Sequence, residues 1–206
     1  MQYFGEPEMS ETAKINKQRF IKIYNDNIKR EGADKLLAYL EKSDFFTAPS
    51  STRFHCSHEG GLCEHSLNVY DCLRDYLSRD FAKSRYNLSP NEEKTAIVSL
   101  LHDLCKVNTY AQSLRNKKDE NGKWVQVPFY EFKEKFNYGS HGGKSIFIIQ
   151  EFMKLDPEEQ VAINCHMGAY DRMPGDFSLN NAYAQFPLAL ALHIADVEAT
   201  VILEHE

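Results

Sequence analysis

The chain has 206 residues, 42% of them hydrophobic and 26% charged, the composition of one ordinary domain with enough apolar material for a sizeable core. Its 30 acidic and 24 basic residues leave a formal charge of −6, which argues against a surface built to grip long nucleic acid and against a membrane-surface protein. No apolar run approaches the roughly 20 residues of a membrane span. The first residues lack the order of a signal peptide, and five cysteines (Cys56, Cys63, Cys72, Cys105, Cys165) without CxxC spacing read as free thiols in a reducing compartment, with the cytoplasm as the default.

Most of the chain reads as helix. Ser10 is placed to cap a segment running to about Arg30, where Ile15, Phe20, Ile23, Tyr24 and Ile28 approximate a 3.6-residue stripe. Gly32 breaks it, and Ala33 to Lys42 forms a shorter helix. From Leu62 to Leu77 an apolar face carries Leu62, Val69, Leu73 and Tyr76, with His65 on that same inward face. Ser89-Pro90-Asn91-Glu92-Glu93 and Asp156-Pro157-Glu158-Glu159 are two similar helix starts, each with a capping side chain, a proline and acids in the first turn. These helices are expected to reach about Lys106 and His166.

Between them, Thr109 to Tyr138 does not read as helix. Asn121-Gly122 before Trp124-Val125-Gln126-Val127 suggests a hairpin, with Pro128 marking an exposed edge. A segment flanked by Gly139, Gly142 and Gly143 turns apolar at Ile146 to Met153. A polar loop from Tyr170 to Asn181 precedes a last apolar helix, Phe186 to Leu203.

Ionisable residues recur on the inward faces of these apolar helices: His65, the adjacent His102 and Asp103, His166, and Asp196 within Leu188 to Val197. An unpaired buried carboxylate costs several kcal/mol, and a buried imidazole needs partners for both nitrogens. A shared metal ion satisfies several of them together. His102 and Asp103 are neighbours, so on an ideal helix they diverge by about 100° and converge on one ion only if it lies just off the helix end.

The order Gly60-Gly61-Leu62-Cys63-Glu64-His65, then His102-Asp103-Leu104-Cys105-Lys106, then His141, His166 and His193-Ile194-Ala195-Asp196 resembles the HD-domain metal-dependent phosphohydrolases over roughly Phe54 to Thr200. The resemblance implies a mainly α, HD-like helical bundle with a small β-hairpin insertion around 109–130. It implies that His65, His102, Asp103 and Asp196 hold one metal ion, and that His141 and His166 add a second. An Asp103 carboxylate, with two oxygens, is able to bridge ions about 3.5–4 Å apart. The mixed nitrogen and oxygen set suits Mn, Fe, Co, Ni or Zn without choosing among them. Residues 1–53 are then an N-terminal helical segment packing on a hydrolase domain at 54–206.

The implied reaction is hydrolysis of a phosphoester by metal-activated water on a small, nucleotide-like or short oligonucleotide substrate. Asp103 and Lys106 are the catalytic candidates, Lys106 either reaching a phosphate oxygen or complementing the helix dipole. Gly60-Gly61 offers backbone N–H groups to an anion or is simply a turn. His55 and His58 are expected to face substrate; with Cys56, Cys63 and His65 they match no zinc-finger spacing. His193 would orient Asp196 or touch substrate. Asp171 and Arg172 belong to a substrate lid or form a solvated pair, and Tyr110, Trp124, Phe129, Tyr130, Phe132 and Phe136 wall a base pocket or pack. A di-iron oxygenase on the same ligands and a non-catalytic metal-stabilised nucleotide-binding module are the rival functions.

Overall fold

The computed structural model describes residues 9–86, 88, 91–133, 140–173, 176 and 178–204. Ser10 accepts a hydrogen bond from the Ala13 N–H and opens α1 (Glu11–Asn27). Gly32, at φ +86°, turns the chain into α2 (Ala33–Lys42). α3 (Gly61–Ser78) follows, then a short α4 (Asp80–Tyr86) that no sequence signal announced. α5 (Glu92–Leu101) is capped by Asn91 through the Lys94 N–H; Ser89 and Pro90, the expected start, lie outside the described residues. α5 stops at Leu101 rather than Lys106. His102 ends it, and Leu104–Lys106 form a separate tight turn.

The expected hairpin is present and longer than its sequence signal. β1 (Tyr110–Lys118) pairs antiparallel with β2 (Trp124–Phe132), Tyr110 opposite Phe132 and Lys118 opposite Trp124. Pro128 sits inside β2 opposite Leu114, which a two-stranded ribbon tolerates because each strand has a free edge. In the turn, Asp119 accepts from the Asn121 and Lys123 N–H groups at 2.9 Å.

Four helices and two turns complete the described chain. α6 (His141–Gln150) starts at Ser140, and α7 (Pro157–Cys165) starts with the full reciprocal cap between Asp156 and Glu159. Gly139, Phe136 and Tyr138 lie outside the described residues. The expected loop from Tyr170 contains a turn at Gly168–Asp171 and α8 (Ser178–Gln185). α9 (Pro187–Glu198) then runs into one wider π-helical turn, Ala199–Leu203, where the Glu204 N–H bonds to Ala199 O at 3.0 Å.

α3, α5, α7 and α9 close a ring: α3 packs on α5, α5 on α7, α7 on α9 and α9 back on α3. α1 packs against α3 and α5, and α6 against α7. The core inside this arrangement holds Phe20, Tyr24, Leu36, Leu62, Leu73, Ile97, Leu100 and Leu192. Each of the larger side chains contributes about 1.5–3 kcal/mol by leaving water. Arg30, in the connection after α1, ties the ring from outside, giving two 2.8 Å bonds to the buried Glu159 of α7 and one of 3.2 Å to Glu93 of α5. Among the described residues, no single helix is long and apolar enough to cross a membrane.

Candidate metal centre

Each helix of the ring delivers one ionisable side chain to the same place. His65 comes from α3, His102 from the end of α5, His166 from the end of α7 and Asp196 from α9. The three histidines are at most 1% exposed. His65 Nε2 lies 3.2 Å from His102 Nε2, 3.3 Å from Asp196 Oδ1 and 3.5 Å from Asp103 Oδ2. His102 and His166 rings are 4.8 Å apart between centroids, and His166 and His141 rings 5.6 Å.

The outer nitrogens of these rings are committed elsewhere. His102 Nδ1 donates to Ser99 O and His166 Nδ1 to Ile163 O, both at 2.7 Å, and His65 Nδ1 faces the Glu204 carboxylate at 3.1 Å. With Nδ1 carrying the hydrogen, a neutral imidazole presents a lone pair at Nε2. At His166 that inner nitrogen is buried and has no hydrogen-bond partner. His102 and His166 also end their helices, so the partial negative charge of two C-termini is directed at the cluster. Inward lone pairs, an orphaned nitrogen, two carboxylates and two negative helix ends together call for a cation. The donor set therefore fits a metal ion: His65, His102 and Asp103 form one candidate group, and His102, His166 and Asp196 another.

Asp103 divides its two oxygens between the halves of the cluster. Oδ2 faces His65 Nε2 at 3.5 Å and His102 Nε2 at 3.6 Å; Oδ1 faces His141 Nε2 at 2.9 Å and His166 Nε2 at 3.5 Å. Lys106, buried one turn on, places Nζ 2.6 Å from Oδ2 and 3.2 Å from Ser50 Oγ. Its ammonium thus neutralises the shared Asp103 carboxylate directly.

The titration of these groups records the same demand for positive charge. Burial alone would raise the Asp103 carboxyl, but Lys106 and His102 hold it well below the usual carboxylate range. Asp196, only partly exposed, is also held low, chiefly by His65 and against its desolvation. Burial opposes charge on His65, yet Asp196 and Glu204 push it up to about 9. His141 rises against its burial to about 10 beside Cys105 and Asp103. Burial pushes His102 down to about 4, leaving it the neutral imidazole a metal requires.

The close approach of α6 and α7 depends on Gly142, where a Cβ would lie 2.1 Å from Ile163 O. Asp171 Oδ2 accepts from the His141 N–H at 2.8 Å, so this residue of the expected lid anchors the start of α6. Arg172 bonds Asn164 O and Cys165 Sγ, each at 3.3 Å, behind the ligands. His193 donates from Nδ1 to His166 O at 2.6 Å and stacks on Tyr183. His55 lies with its ring 5.0 Å from that of His65, and burial lowers it to about 4. His58 instead pairs with Glu64 at 3.3 Å, nearly half exposed. Sequence reasoning missed Glu204 and Cys105. Glu204 follows an apolar helix with no motif, and Cys105 was read only as a free thiol.

Residues 62–200 match the HD domain family, and the chain belongs to it. That family consists generally of metal-dependent phosphohydrolases. No curated protein and no solved structure matches the chain significantly.

Proposed function

We propose that the protein is a metal-dependent phosphohydrolase acting on a small, nucleotide-like or short oligonucleotide phosphoester. The observation that carries this reading is the division of Asp103, each oxygen facing its own pair of histidines. Such a carboxylate suits two divalent ions side by side, drawn from Mn, Fe, Co, Ni and Zn. When bound, divalent ions supply acidified water as a nucleophile and neutralise phosphate charge. His65, His102 and Asp196 hold one half of the centre, His141 and His166 the other, and Asp103 joins them. Lys106 keeps Asp103 ionised and fixed.

A cleft beside segment 50–58 supports a small substrate. The segment 50–58 has Ser50 and His55 towards the centre, and Arg53 and His58 towards a cleft of about 620 Å³. Across that cleft stand Gln112, Arg115, Phe129 and Tyr130 of the hairpin, with the Arg115 guanidinium 5.5 Å from the Phe129 ring centre. Aromatic faces beside basic groups suit a base carrying phosphate, and the size suits one small ligand. His55 and His58, on the segment between the centre and this cleft, are the substrate-binding candidates; Arg172 and His193, expected beside them, do not line it and are held by Asn164, Cys165 and His166. Five free thiols agree with a cytoplasmic setting, and the acidic balance with a small substrate rather than long nucleic acid or a membrane.

The test is phosphate release from nucleotides and short oligonucleotides by protein loaded in turn with Mn, Co, Ni, Fe and Zn. Release by the native protein, abolished in Asp103→Asn, supports the reading. Absence of release with every metal, or an active D103N protein, overturns it; oxygen uptake by the iron-loaded protein in place of release points to the oxygenase instead.

A further inference from the structure

The two halves of the centre differ in one donor atom. Among the described residues, the metal-binding groups facing Asp103 Oδ2 are the imidazole nitrogens of His65 and His102. Around Oδ1 there is also sulfur: Cys105 Sγ lies 4.0 Å away, on the oxygen shared by His141 and His166. The sulfur, an Asp103 oxygen and a His141 nitrogen all lie within 4.8 Å of one another. Tetrahedral ligands at about 2.0–2.3 Å from an ion stand roughly 3.3–3.8 Å apart, so a small side-chain rotation brings these donors onto one ion. The His166 Nε2, buried and without a hydrogen-bond partner, faces the same oxygen and is an independent donor for a cation there.

We propose that Cys105 is a thiolate ligand of the second ion, making that half of the centre selective for zinc, cobalt or iron over manganese. The inference rests on the metal-centre reading above. The backbone holds the residue in place: its N–H donates to Ser145 Oγ and its carbonyl accepts from Thr109 Oγ1, both at 3.0 Å. It is 5% exposed, so the sulfur faces the cluster rather than solvent. On binding, the S–H proton leaves to solvent and the sulfur lone pair enters the bond to the ion. Soft sulfur then favours the thiophilic metals. Cys56 also stands near a histidine and a carboxylate, His58 and Glu64, but there no unpartnered buried nitrogen points at it among the described residues.

The experiment uses the full chain loaded with cobalt(II), read by absorption and by elemental analysis. The native protein is expected to show an intense near-ultraviolet thiolate-to-cobalt band, lost in Cys105→Ser and Cys105→Ala and kept in Cys63→Ser and Cys165→Ser. Circular dichroism confirms that each variant is folded. C105S should also bind zinc at the Cys105 half of the centre roughly tenfold less tightly, with manganese affinity nearly unchanged. Cobalt bound to the native protein without the band, or a band that survives in C105S, overturns the proposal and leaves the metal centre standing. No bound cobalt in any protein overturns both.

Discussion

His65 and Glu204, 139 positions apart in the chain, meet so that the imidazole Nδ1 lies 3.1 Å from both carboxylate oxygens. Asn68 donates to Glu204 Oε1 at 2.9 Å and holds the carboxylate square to the ring. The wider turn at the end of α9 is what reaches this position, because its bond from Glu204 to Ala199 spans one residue more than an α-helical bond. A carboxylate on the outer nitrogen fixes the tautomer and raises the basicity of the inner one.

Replacing Glu204 by Ala is therefore expected to weaken metal binding by roughly 10–100-fold, and Glu204→Gln by less, because an amide oxygen still accepts from Nδ1–H. Competition with a chelator at a temperature well below the melting point measures this. Native affinity in E204A would reduce Glu204 to a packing role.

A second expectation concerns stability alone. Glu159 is fully buried, takes two bonds from Arg30 and accepts the Asp156 N–H at 2.8 Å. Glu159→Ala leaves Arg30 with Glu93 and the Lys154 carbonyl and removes half of the helix cap, a loss of about 2–4 kcal/mol. Urea unfolding checks this, and a loss below about 1 kcal/mol would show that Arg30 finds water without cost.

Acid should act on the same side of the molecule. Glu93 is lowered from its ordinary 4.5 because the Lys29 N–H and Arg30 outweigh burial. Asp156 is lowered from 3.8 because the Glu159 N–H and Lys94 outweigh its burial. Groups with depressed folded values stabilise above their unfolded values and lose that contribution as pH falls through the folded ones. Melting temperature in chelator should accordingly fall below about pH 4.5, and the Glu93→Gln/Asp156→Asn double variant should start lower and slope less. Parallel curves for the two proteins would remove these carboxylates from the acid response.

The helices and the inward-facing His65 were legible because apolar spacing records burial, and Asp156-Pro157 marked the start of α7 by local chemistry alone. The end of α5 was not legible. Ala96 to Leu101 is apolar but for Ser99 and Leu104 follows the His102-Asp103 pair, so no periodicity marks where His102 leaves the helix. The polar composition of the Tyr170 to Asn181 region hid α8, a helix without buried residues. Lys106 looked like a helix-end cation, and its burial against Asp103 follows from tertiary packing that spacing does not encode.

His102 and His166 each use one hydrogen bond, to the carbonyl three residues back, for two purposes. The bond satisfies an orphan carbonyl at a helix end, and it aims the ring. Because these bonds lie wholly within the chain, both rings are oriented by the fold itself. On the proposed reading, ordering the site is part of folding the helices, and an ion would meet a prepared receptor.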